Sequence, residues 1–186
     1  PGDYFGASLA FVDDLDGDGD ADLLVGAPGL NSGSSDVGAV YIFSDPLAGS
    51  LSAADATSRL AGITLWGSLG SAVASVGDTD GDGLTDFLIG DPSGVGSTIG
   101  TGAAFLVVGP PPAGDTDAAD AAASHLLGES AGDQAGAAVA GPGDVNGDGY
   151  DDLLIGAPHH GSAGNYTGAA YLILSPKNVS GTISQG

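Results

Sequence analysis

The sequence contains no cysteine and no methionine, and only two of its 186 residues, Arg59 and Lys177, are basic. Without cysteine there is no disulfide pattern, so the sequence carries no information about the redox compartment. Two cations cannot form a surface for phosphate groups, which excludes nucleic acid as a partner. The apolar runs are also short, since the run from Ala103 to Val108 has only the length of a β-strand. We therefore expect no membrane insertion.

Glycine, aspartate and small apolar residues dominate the chain instead. Its 35 glycines follow no collagen-like period, which indicates many tight turns, and its hydrophobic content of 42% is sufficient for a core. The formal net charge is −22, and more than half of the 24 acidic residues lie in or directly beside three short segments. The acidity is therefore mostly local.

An acidic segment occurs three times, at offsets of 64 and 66 residues. The copies read DLDGDGDAD from Asp14, DTDGDGLTD from Asp78 and DVNGDGYDD from Asp144. Each continues into an apolar stretch that ends in a turn: LLVGAP, FLIGDP or LLIGAP. A fixed long period predicts stacked supersecondary units. We place these units at residues 1–63, 64–129 and 130–186, and call them units 1, 2 and 3.

Each unit is predicted to form up to four strands. The first precedes the acidic segment, and the second follows it as a continuous apolar run, which is typical of a strand that is buried on both faces. The third is rich in β-branched and aromatic residues, and the fourth, a weaker pattern, occurs only in units 1 and 2. The segments 51–56 and 115–123 are expected to be surface connectors with a helical turn. The predicted strands are 7–12, 22–26, 39–43 and 58–62 in unit 1, 71–76, 86–90, 103–108 and 124–128 in unit 2, and 137–141, 152–156 and 169–174 in unit 3.

Repeated four-stranded sheets around a common axis are the blades of a β-propeller, so the predicted fold class is all-β with propeller blades. A closed propeller typically needs about 4 to 8 blades. Unit 3 lacks its fourth strand, and three units cannot close a ring. We therefore expect the chain to be part of a longer protein or to assemble with other copies of itself.

The alternating carboxylates of each acidic segment form the pattern of a calcium loop. Calcium prefers six to eight oxygen ligands and tolerates irregular geometry, whereas magnesium retains its waters and requires an octahedron. The side chains at positions one, three, five and nine and the main-chain carbonyl at position seven are the expected ligands, and a glycine at position six permits the bend. The predicted ligands of the three Ca²⁺ sites are Asp14, Asp16, Asp18, Asp20 and Asp22; Asp78, Asp80, Asp82, Leu84 and Asp86; and Asp144, Asn146, Asp148, Tyr150 and Asp152.

These calcium ions are expected to have a structural role. A bound ion pins the first two strands of a unit together, so its binding free energy contributes to the free energy of folding. The third site has Asn146 in place of an aspartate and is predicted to bind calcium most weakly. The expected ligands are all used for the metal, and no neighbouring His or Glu offers a general base. We therefore expect no enzyme activity.

The Phe5-Gly6 turn, the acidic segments and the Gly26-Ala27-Pro28 turn together resemble the FG-GAP repeat of integrin α-subunit β-propellers and related bacterial surface proteins. Unit 2 departs from this pattern at Leu69 and Asp91, and unit 3 departs from it at Ala135; these positions affect packing more than the cation loop. The resemblance implies a propeller of about seven blades, with calcium in the loops of some blades. It also implies an extracellular or cell-surface location and a role in adhesion or recognition, without indicating a particular ligand.

The expected function is that of a calcium-stabilised extracellular β-propeller module for adhesion or scaffolding, with a protein or glycan ligand. The alternatives are a self-assembling subunit of a surface ring or filament, completed by strand exchange between copies, and a non-catalytic module of a larger secreted enzyme. Recognition is expected in the variable loops 29–37, 93–101 and 159–167. We expect Trp66 to pack between two units rather than to contact a ligand, and His159 and His160 to be exposed without a function.

Overall fold

The computed structural model describes residues 2–33, 35–44, 49–94, 100–162, 165–174, 176 and 180–184. Each unit forms one antiparallel sheet, in which the strand before the acidic segment lies at one edge and the later strands follow in chain order. The predicted fold class is confirmed, and each predicted strand agrees with the structure to within two residues at either end. The strands are Ser8–Val12, Asp22–Ala27, Ala39–Phe43 and Ser58–Ala61 in unit 1, Ala72–Gly77, Asp86–Asp91, Ala103–Val107 and Ser124–Leu127 in unit 2, and Ala138–Gly143, Asp152–Ala157 and Ala169–Ile173 in unit 3.

The core lies between the sheets. Side chains alternate along a strand, so each sheet presents a different set of residues to each of its two neighbours. The second strand of unit 2, Asp86–Asp91, is buried at every position because it has a sheet on both sides. The cluster between units 1 and 2 contains Leu24, Val40, Ile42, Leu60, Phe87, Ile89 and Val107, and the cluster between units 2 and 3 contains Leu88, Leu106, Leu126, Leu153, Ile155 and Tyr171.

In units 2 and 3, a turn that precedes the first strand packs against the sheet of the preceding unit. We call the three turns Phe5-Gly6, Leu69-Gly70 and Ala135-Gly136 the FG turns. Leu69 forms a parallel bridge with Gly38, and Ala135 forms one with Gly102. Leu69 and Ala135 are both fully buried. The FG turn therefore fastens each unit to the unit before it.

The glycine just before the last residue of the second strand permits this close approach. A Cβ atom on Gly26 would lie 2.1 Å from the carbonyl oxygen of Gly70, and one on Gly90 would lie 2.0 Å from the carbonyl oxygen of Gly136. No side chain fits at either position, because two backbones meet there. We call this contact between a Gly-x-Pro turn and the next FG turn a seam.

The connectors contain the expected helical turns, a 3₁₀ turn at Ala53–Asp55 and a short helix at Ala118–Ala121. The prediction was incomplete, however, because part of each later connector is a strand. Gly114–Asp117 pairs in parallel with Ser58–Ala61, and Gly181–Thr182 pairs in parallel with the fourth strand of unit 2. Each connector thus adds a fifth strand to the sheet of the preceding unit.

The variable loops of units 1 and 3 contain two-stranded hairpins. The strands are Asn31–Ser32 with Ser35–Asp36, and Gly161–Ser162 with Asn165–Tyr166. The corresponding loop of unit 2 lies partly outside the described residues. Among the described residues, no helix has the length and apolar character needed to cross a membrane.

Candidate metal centres and recognition groove

Each acidic segment forms the loop that connects the first and second strands of its sheet. In all three loops the carboxylate at position one accepts hydrogen bonds from the amides at positions four and six. In the first loop these bonds run from Gly17 to Asp14 Oδ1 at 2.7 Å and from Gly19 to Asp14 Oδ2 at 3.2 Å. Asp78 and Asp144 accept the equivalent pairs of bonds in the other two loops. The loops therefore share one backbone conformation despite their sequence differences.

The side chains at positions three and five are held in the same manner. Asp16 Oδ1 accepts a hydrogen bond from the amide two residues later at 3.2 Å, and Asp18 Oδ1 does so at 2.8 Å. The second loop has the same bonds to Asp80 and Asp82. In the third loop Asn146 and Asp148 are the acceptors. Backbone donors thus fix the orientation of each side chain while leaving further carboxylate lone pairs for a cation.

These bonds bring three carboxylates together in each of the first two loops. One oxygen from each of Asp14, Asp16 and Asp18 lies within 4.8 Å of the others, and the same holds for Asp78, Asp80 and Asp82. The third loop has only two carboxylates at these positions, and the Asn146 amide nitrogen donates to Asp148 Oδ2 at 2.8 Å. A group of oxygens at this spacing suits a hard divalent cation.

The ninth-position aspartates lie at the base of the loops and are outside these three-carboxylate groups. Asp22, Asp86 and Asp152 are fully buried. Each accepts a hydrogen bond from the amide at position two of its loop, with distances of 2.7 to 2.9 Å. They therefore close the loop onto the second strand, whether or not they also bind an ion.

Asp22 provides a test of whether the first loop fits a metal. Its second oxygen, Oδ1, is buried without a hydrogen-bond partner among the described residues. Burial raises the pKa of Asp22, and the charges of Asp16, Asp18 and Asp14 raise it further. A divalent cation would give the buried oxygen a partner and offset half of the charge of the four carboxylates, so these residues fit a metal ion. In the second loop burial likewise raises the pKa of Asp86, but both of its oxygens accept hydrogen bonds, one of them from the Gly109 amide at 3.0 Å.

Neighbouring loops are joined to one another. The Thr85 amide donates to the Asp14 carbonyl oxygen at 2.9 Å, and the Asp151 amide donates to the Asp78 carbonyl oxygen at 3.0 Å. The Asp151 carboxylate also accepts from the Asp78 amide at 2.9 Å. These hydrogen bonds therefore connect the first loop to the second and the second loop to the third.

The seventh position has a role that sequence reasoning missed. Its residue varies between Asp20, Leu84 and Tyr150, which is consistent with a ligand that uses only its main-chain carbonyl. The structure adds a packing role for the side chain. A Cβ atom on Gly81 would lie 2.9 Å from the Tyr150 ring, and one on Gly17 would lie 3.6 Å from Leu84 Cδ2. The side chain at position seven thus covers the loop of the preceding unit.

The comparison with known proteins agrees with these features. The family model of the FG-GAP repeat matches residues 5–43 and 135–173, which include two FG turns and the first and third acidic loops. The chain belongs to the FG-GAP, integrin α-like family. This FG-GAP chain is 36% identical over 159 residues to integrin alpha-IIb of Mus musculus, an alignment that covers 83% of the chain and 15% of that protein.

Two further integrin α relatives show the same extent of similarity. Integrin alpha-5 of Xenopus laevis is 34% identical over 159 residues, again 83% of the chain and 15% of the relative. Integrin alpha-PS5 of Drosophila melanogaster is 32% identical over 175 residues, which are 93% of the chain and 16% of the relative. The FG-GAP chain therefore spans about 15% of the length of the curated relatives that it matches.

The expectation that Trp66 packs between units was wrong. Its side chain is 70% exposed, and its backbone has a φ of +64°. The equivalent residues in the other units are Gly2 and Gly132, which also have positive φ values but carry no side chain. A bulky residue in this conformation is strained by roughly 1 to 3 kcal/mol. Strain in an exposed aromatic residue indicates a role outside the core.

Trp66 lines an open groove of about 340 Å³ between units 1 and 2. Tyr4 lines the same groove, is 71% exposed and also has a positive φ, +55°. Its ring packs directly over the backbone of Gly29. The other lining residues are Pro28, Asp36, Gly67, Ser68 and Ser93. The groove therefore combines two exposed aromatic rings with a carboxylate and hydroxyl groups, and we call it the aromatic groove.

Asp91 binds Ser68, which lines the aromatic groove. It replaces the alanine of the other GAP turns, is buried, and accepts hydrogen bonds from the Ser68 amide at 2.8 Å and the Ser68 hydroxyl at 3.3 Å. Burial raises the pKa of Asp91, although its hydrogen bonds counteract part of this effect. The unusual GDP turn thus fixes the segment that carries Trp66.

The two histidines differ from each other. His159 is exposed and stacks on Tyr166 with ring centroids 4.9 Å apart. His160 does not fit the expectation of an exposed residue, because it is partly buried and its Nδ1 lies 3.2 Å from both Asp133 Oδ2 and the Tyr171 hydroxyl. Burial, together with nearby acidic groups, raises the pKa of Tyr171 to about 12. His160 therefore belongs to a polar network within unit 3 that joins Tyr171 to Asp133, two residues before the Ala135-Gly136 turn.

Proposed function

We propose that this chain is a calcium-stabilised extracellular β-propeller module for adhesion or scaffolding. The observation that supports the proposal best is the common geometry of the three acidic loops. The same backbone amides hold the position-one carboxylate of each loop, although the residues between them differ, and three carboxylates converge in each of the first two loops. In the absence of a cation this arrangement concentrates like charges, whereas a divalent ion would bind all of the converging oxygens.

Calcium suits these loops better than magnesium does. The oxygens come from a glycine-rich turn and include an amide oxygen in the third loop, a mixture that matches the tolerant coordination of calcium. Three divalent ions would reduce the formal net charge from −22 to −16. The proposed ligands remain the fifteen residues predicted from the sequence, and the third site is proposed to be the weakest.

Thermal unfolding tests the calcium proposal. Each ion contributes about 2.7 kcal/mol when calcium is present at about 100 times its Kd, and a domain of this size loses about 2–4 °C in Tm per kcal/mol. Chelation is therefore expected to lower the Tm by more than about 15 °C. Calcium should restore the Tm, and magnesium at the same ionic strength should restore less. An unchanged Tm after chelation would contradict the proposal.

Recognition is proposed to involve the aromatic groove. Trp and Tyr provide large contact areas at a low cost in side-chain entropy, which is why they are enriched at binding surfaces. The acidic character of the groove and of the whole chain disfavours anionic ligands. Membership of the integrin α-like family supports an extracellular setting, and a protein or glycan is the proposed ligand class.

An array of printed glycans and peptides, probed with the labelled chain, tests this second part. Trp66→Ala is expected to lose most of the binding that the unmodified chain shows. Leu65→Ala is the matched control, because Leu65 is 66% exposed beside Trp66 but does not line the groove. Equal binding by Trp66→Ala and Leu65→Ala would show that the aromatic groove is not the recognition site. It would not contradict the calcium proposal.

A further inference from the structure

The third acidic loop differs from the other two at position three, where it has an asparagine. This residue is Asn146, whereas the first two loops have Asp16 and Asp80, and a glycine follows in all three loops. Asn146 is also the one asparagine of four in the sequence that precedes a glycine. The side-chain amide of an asparagine can react with the next backbone nitrogen, and a glycine leaves this nitrogen open because it has no Cβ atom. The Asn146–Gly147 pair is therefore a candidate site of covalent change.

The loop holds the Asn146 side chain against its own backbone. Its Oδ1 accepts a hydrogen bond from the Asp148 amide at 2.8 Å, and its Nδ2 donates to Asp148 Oδ2, also at 2.8 Å. A side chain that accepts from the amide two residues later is folded back over the peptide group between them. The side-chain amide is thus fixed at both of its polar atoms, and its carbon Cγ is held close to the Gly147 nitrogen.

Neighbouring groups assist a reaction between these two atoms. The Gly147 N–H donates to Asp144 Oδ1 at 2.7 Å, and this charge-assisted hydrogen bond makes the nitrogen more nucleophilic. The Asp148 N–H, which donates to Asn146 Oδ1, is placed to stabilise the negative charge that develops on this oxygen when Cγ is attacked. The conformation that arranges ligands for a cation therefore also promotes ring closure at Asn146.

Water reaches this part of the loop. Asn146 and Gly147 are exposed. The equivalent glycines of the first two loops, Gly17 and Gly81, are exposed as well, although each of those loops has a further unit beside it. Exposure at position four is therefore a property of the loop itself and does not depend on what adjoins unit 3.

We propose that Asn146 is a deamidation site, which reacts in the metal-free third loop and is protected when calcium is bound. The Gly147 nitrogen attacks Asn146 Cγ, a C–N bond forms and closes a five-membered succinimide, and the Cγ–Nδ2 bond breaks. The leaving ammonia takes the proton of the Gly147 N–H. Water then opens the ring, at Cγ to give an aspartate or at the other carbonyl to give an isoaspartate.

The protection by calcium rests on the proposed function, in which Asn146 Oδ1 is a ligand of the third site. A bound ion would fix this oxygen to the carboxylates of Asp144 and Asp148, so that Cγ could not move onto the Gly147 nitrogen. The aspartate product has the three carboxylates that converge in the first two loops. Because calcium affinity depends on the number of charged ligands, this product should bind calcium more tightly than the unmodified loop. The isoaspartate product lengthens the backbone by one methylene group and disrupts the loop.

Peptide mapping by mass spectrometry tests the proposal. The folded chain is incubated in mildly alkaline buffer, with chelator or with calcium, below the Tm of the calcium-free chain. The peptide that contains Asn146 is expected to gain the mass of one deamidation in chelator. With calcium at about 100 times its Kd only about 1% of the loops are metal-free, so the rate should fall by more than about tenfold.

Two results would overturn the proposal, and neither of them contradicts the calcium sites. The first is an unchanged Asn146 in chelator over a period in which a synthetic peptide of residues 142–150 deamidates. The second is an equal rate with and without calcium in a chain whose Tm rises with calcium. If calcium does not raise the Tm either, the proposed function fails, and the Tm measurement shows this independently of the mass.

Two variants test whether the loop geometry causes the reaction. Asn146→Gln keeps the amide but requires a larger ring, and it should gain no mass at this peptide. Asp80→Asn places the same Asn-Gly pair in the second loop, where the Gly81 amide donates to Asp78 Oδ1 at 2.6 Å, and it should deamidate there with the same dependence on calcium. If Asn146→Gln reacts like the unmodified chain, or if the new asparagine of Asp80→Asn is inert, the proposed mechanism is wrong.

Discussion

The seam between units 2 and 3 can be tested with a single methyl group. In Gly90→Ala the new Cβ atom would lie 2.0 Å from the Gly136 carbonyl oxygen and 3.0 Å from the Gly136 carbonyl carbon. Both neighbours are backbone atoms, so the strain cannot be relieved by a side-chain rotation. The FG turn must move away by more than about 1 Å, because a relaxed contact of this type needs about 3.4 Å or more. That movement weakens the bridge between Gly102 and Ala135.

Overpacking of this kind costs about 3 kcal/mol. For a chain of this length the corresponding fall in Tm is about 6–12 °C. Differential scanning calorimetry in calcium is the assay, and Gly156→Ala is the reference, since the same substitution at the equivalent position of unit 3 meets its nearest neighbour at 3.4 Å. If Gly90→Ala and Gly156→Ala have the same Tm, the close backbone approach at the seam is not the reason why position 90 requires glycine.

Two further predictions concern individual aspartates. Asp148→Ala is expected to remove calcium binding at the third loop only, so a calorimetric titration should fit one site fewer while the first two sites keep their affinities; loss of all sites would contradict independent loops. The second prediction concerns Asp91→Ala, which removes a carboxyl group whose pKa is raised by burial. Because the pKa of Asp91 is raised in the folded state, its contribution to stability is greatest at a pH below the unfolded value of about 3.9 and is lost as the pH rises through the folded value. The free energy of unfolding of the unmodified chain, relative to Asp91→Ala in urea titrations, should therefore increase as the pH falls, and a difference independent of pH would show that Asp91 does not titrate as proposed.

The strands could be predicted well from the sequence because each apolar pattern recurs at equivalent positions of the repeats, so that the copies support one another. Apolar runs such as Leu23–Val25, bounded by an acidic loop and a Gly-x-Pro turn, indicate a buried strand without any tertiary information. The connector strand at Gly114–Asp117 was missed because it has no apolar pattern that would indicate a strand. Its residues have little β-propensity, and it becomes a strand because the edge of the unit 1 sheet offers unpaired main-chain groups and Arg59 binds Asp115 at 2.7 Å.

The candidate sites likewise include features that local sequence predicts and features that depend on contacts between distant residues. The positions of the loop aspartates follow from local spacing, so the grouping of Asp14, Asp16 and Asp18 could be expected from the sequence. The roles of Trp66 and His160 could not. Both depend on which residues distant in the sequence lie beside them, and for Trp66 they also depend on a backbone conformation that its identity does not favour.

The sequence by itself determined the repeat, the all-β class and the geometry of three acidic loops, because each of these depends on contacts within a few residues. Only the tertiary structure decided how the units are joined. The seams arise where backbones 44 and 46 residues apart approach each other, at Gly26 with Gly70 and at Gly90 with Gly136, and the links between loops join backbones more than seventy residues apart. Glycines at the same position of the repeat, Gly90 and Gly156, therefore have different surroundings: a Cβ atom on Gly90 would lie 2.0 Å from the backbone of the next FG turn, whereas one on Gly156 would lie 3.4 Å from the Cβ of Ala138.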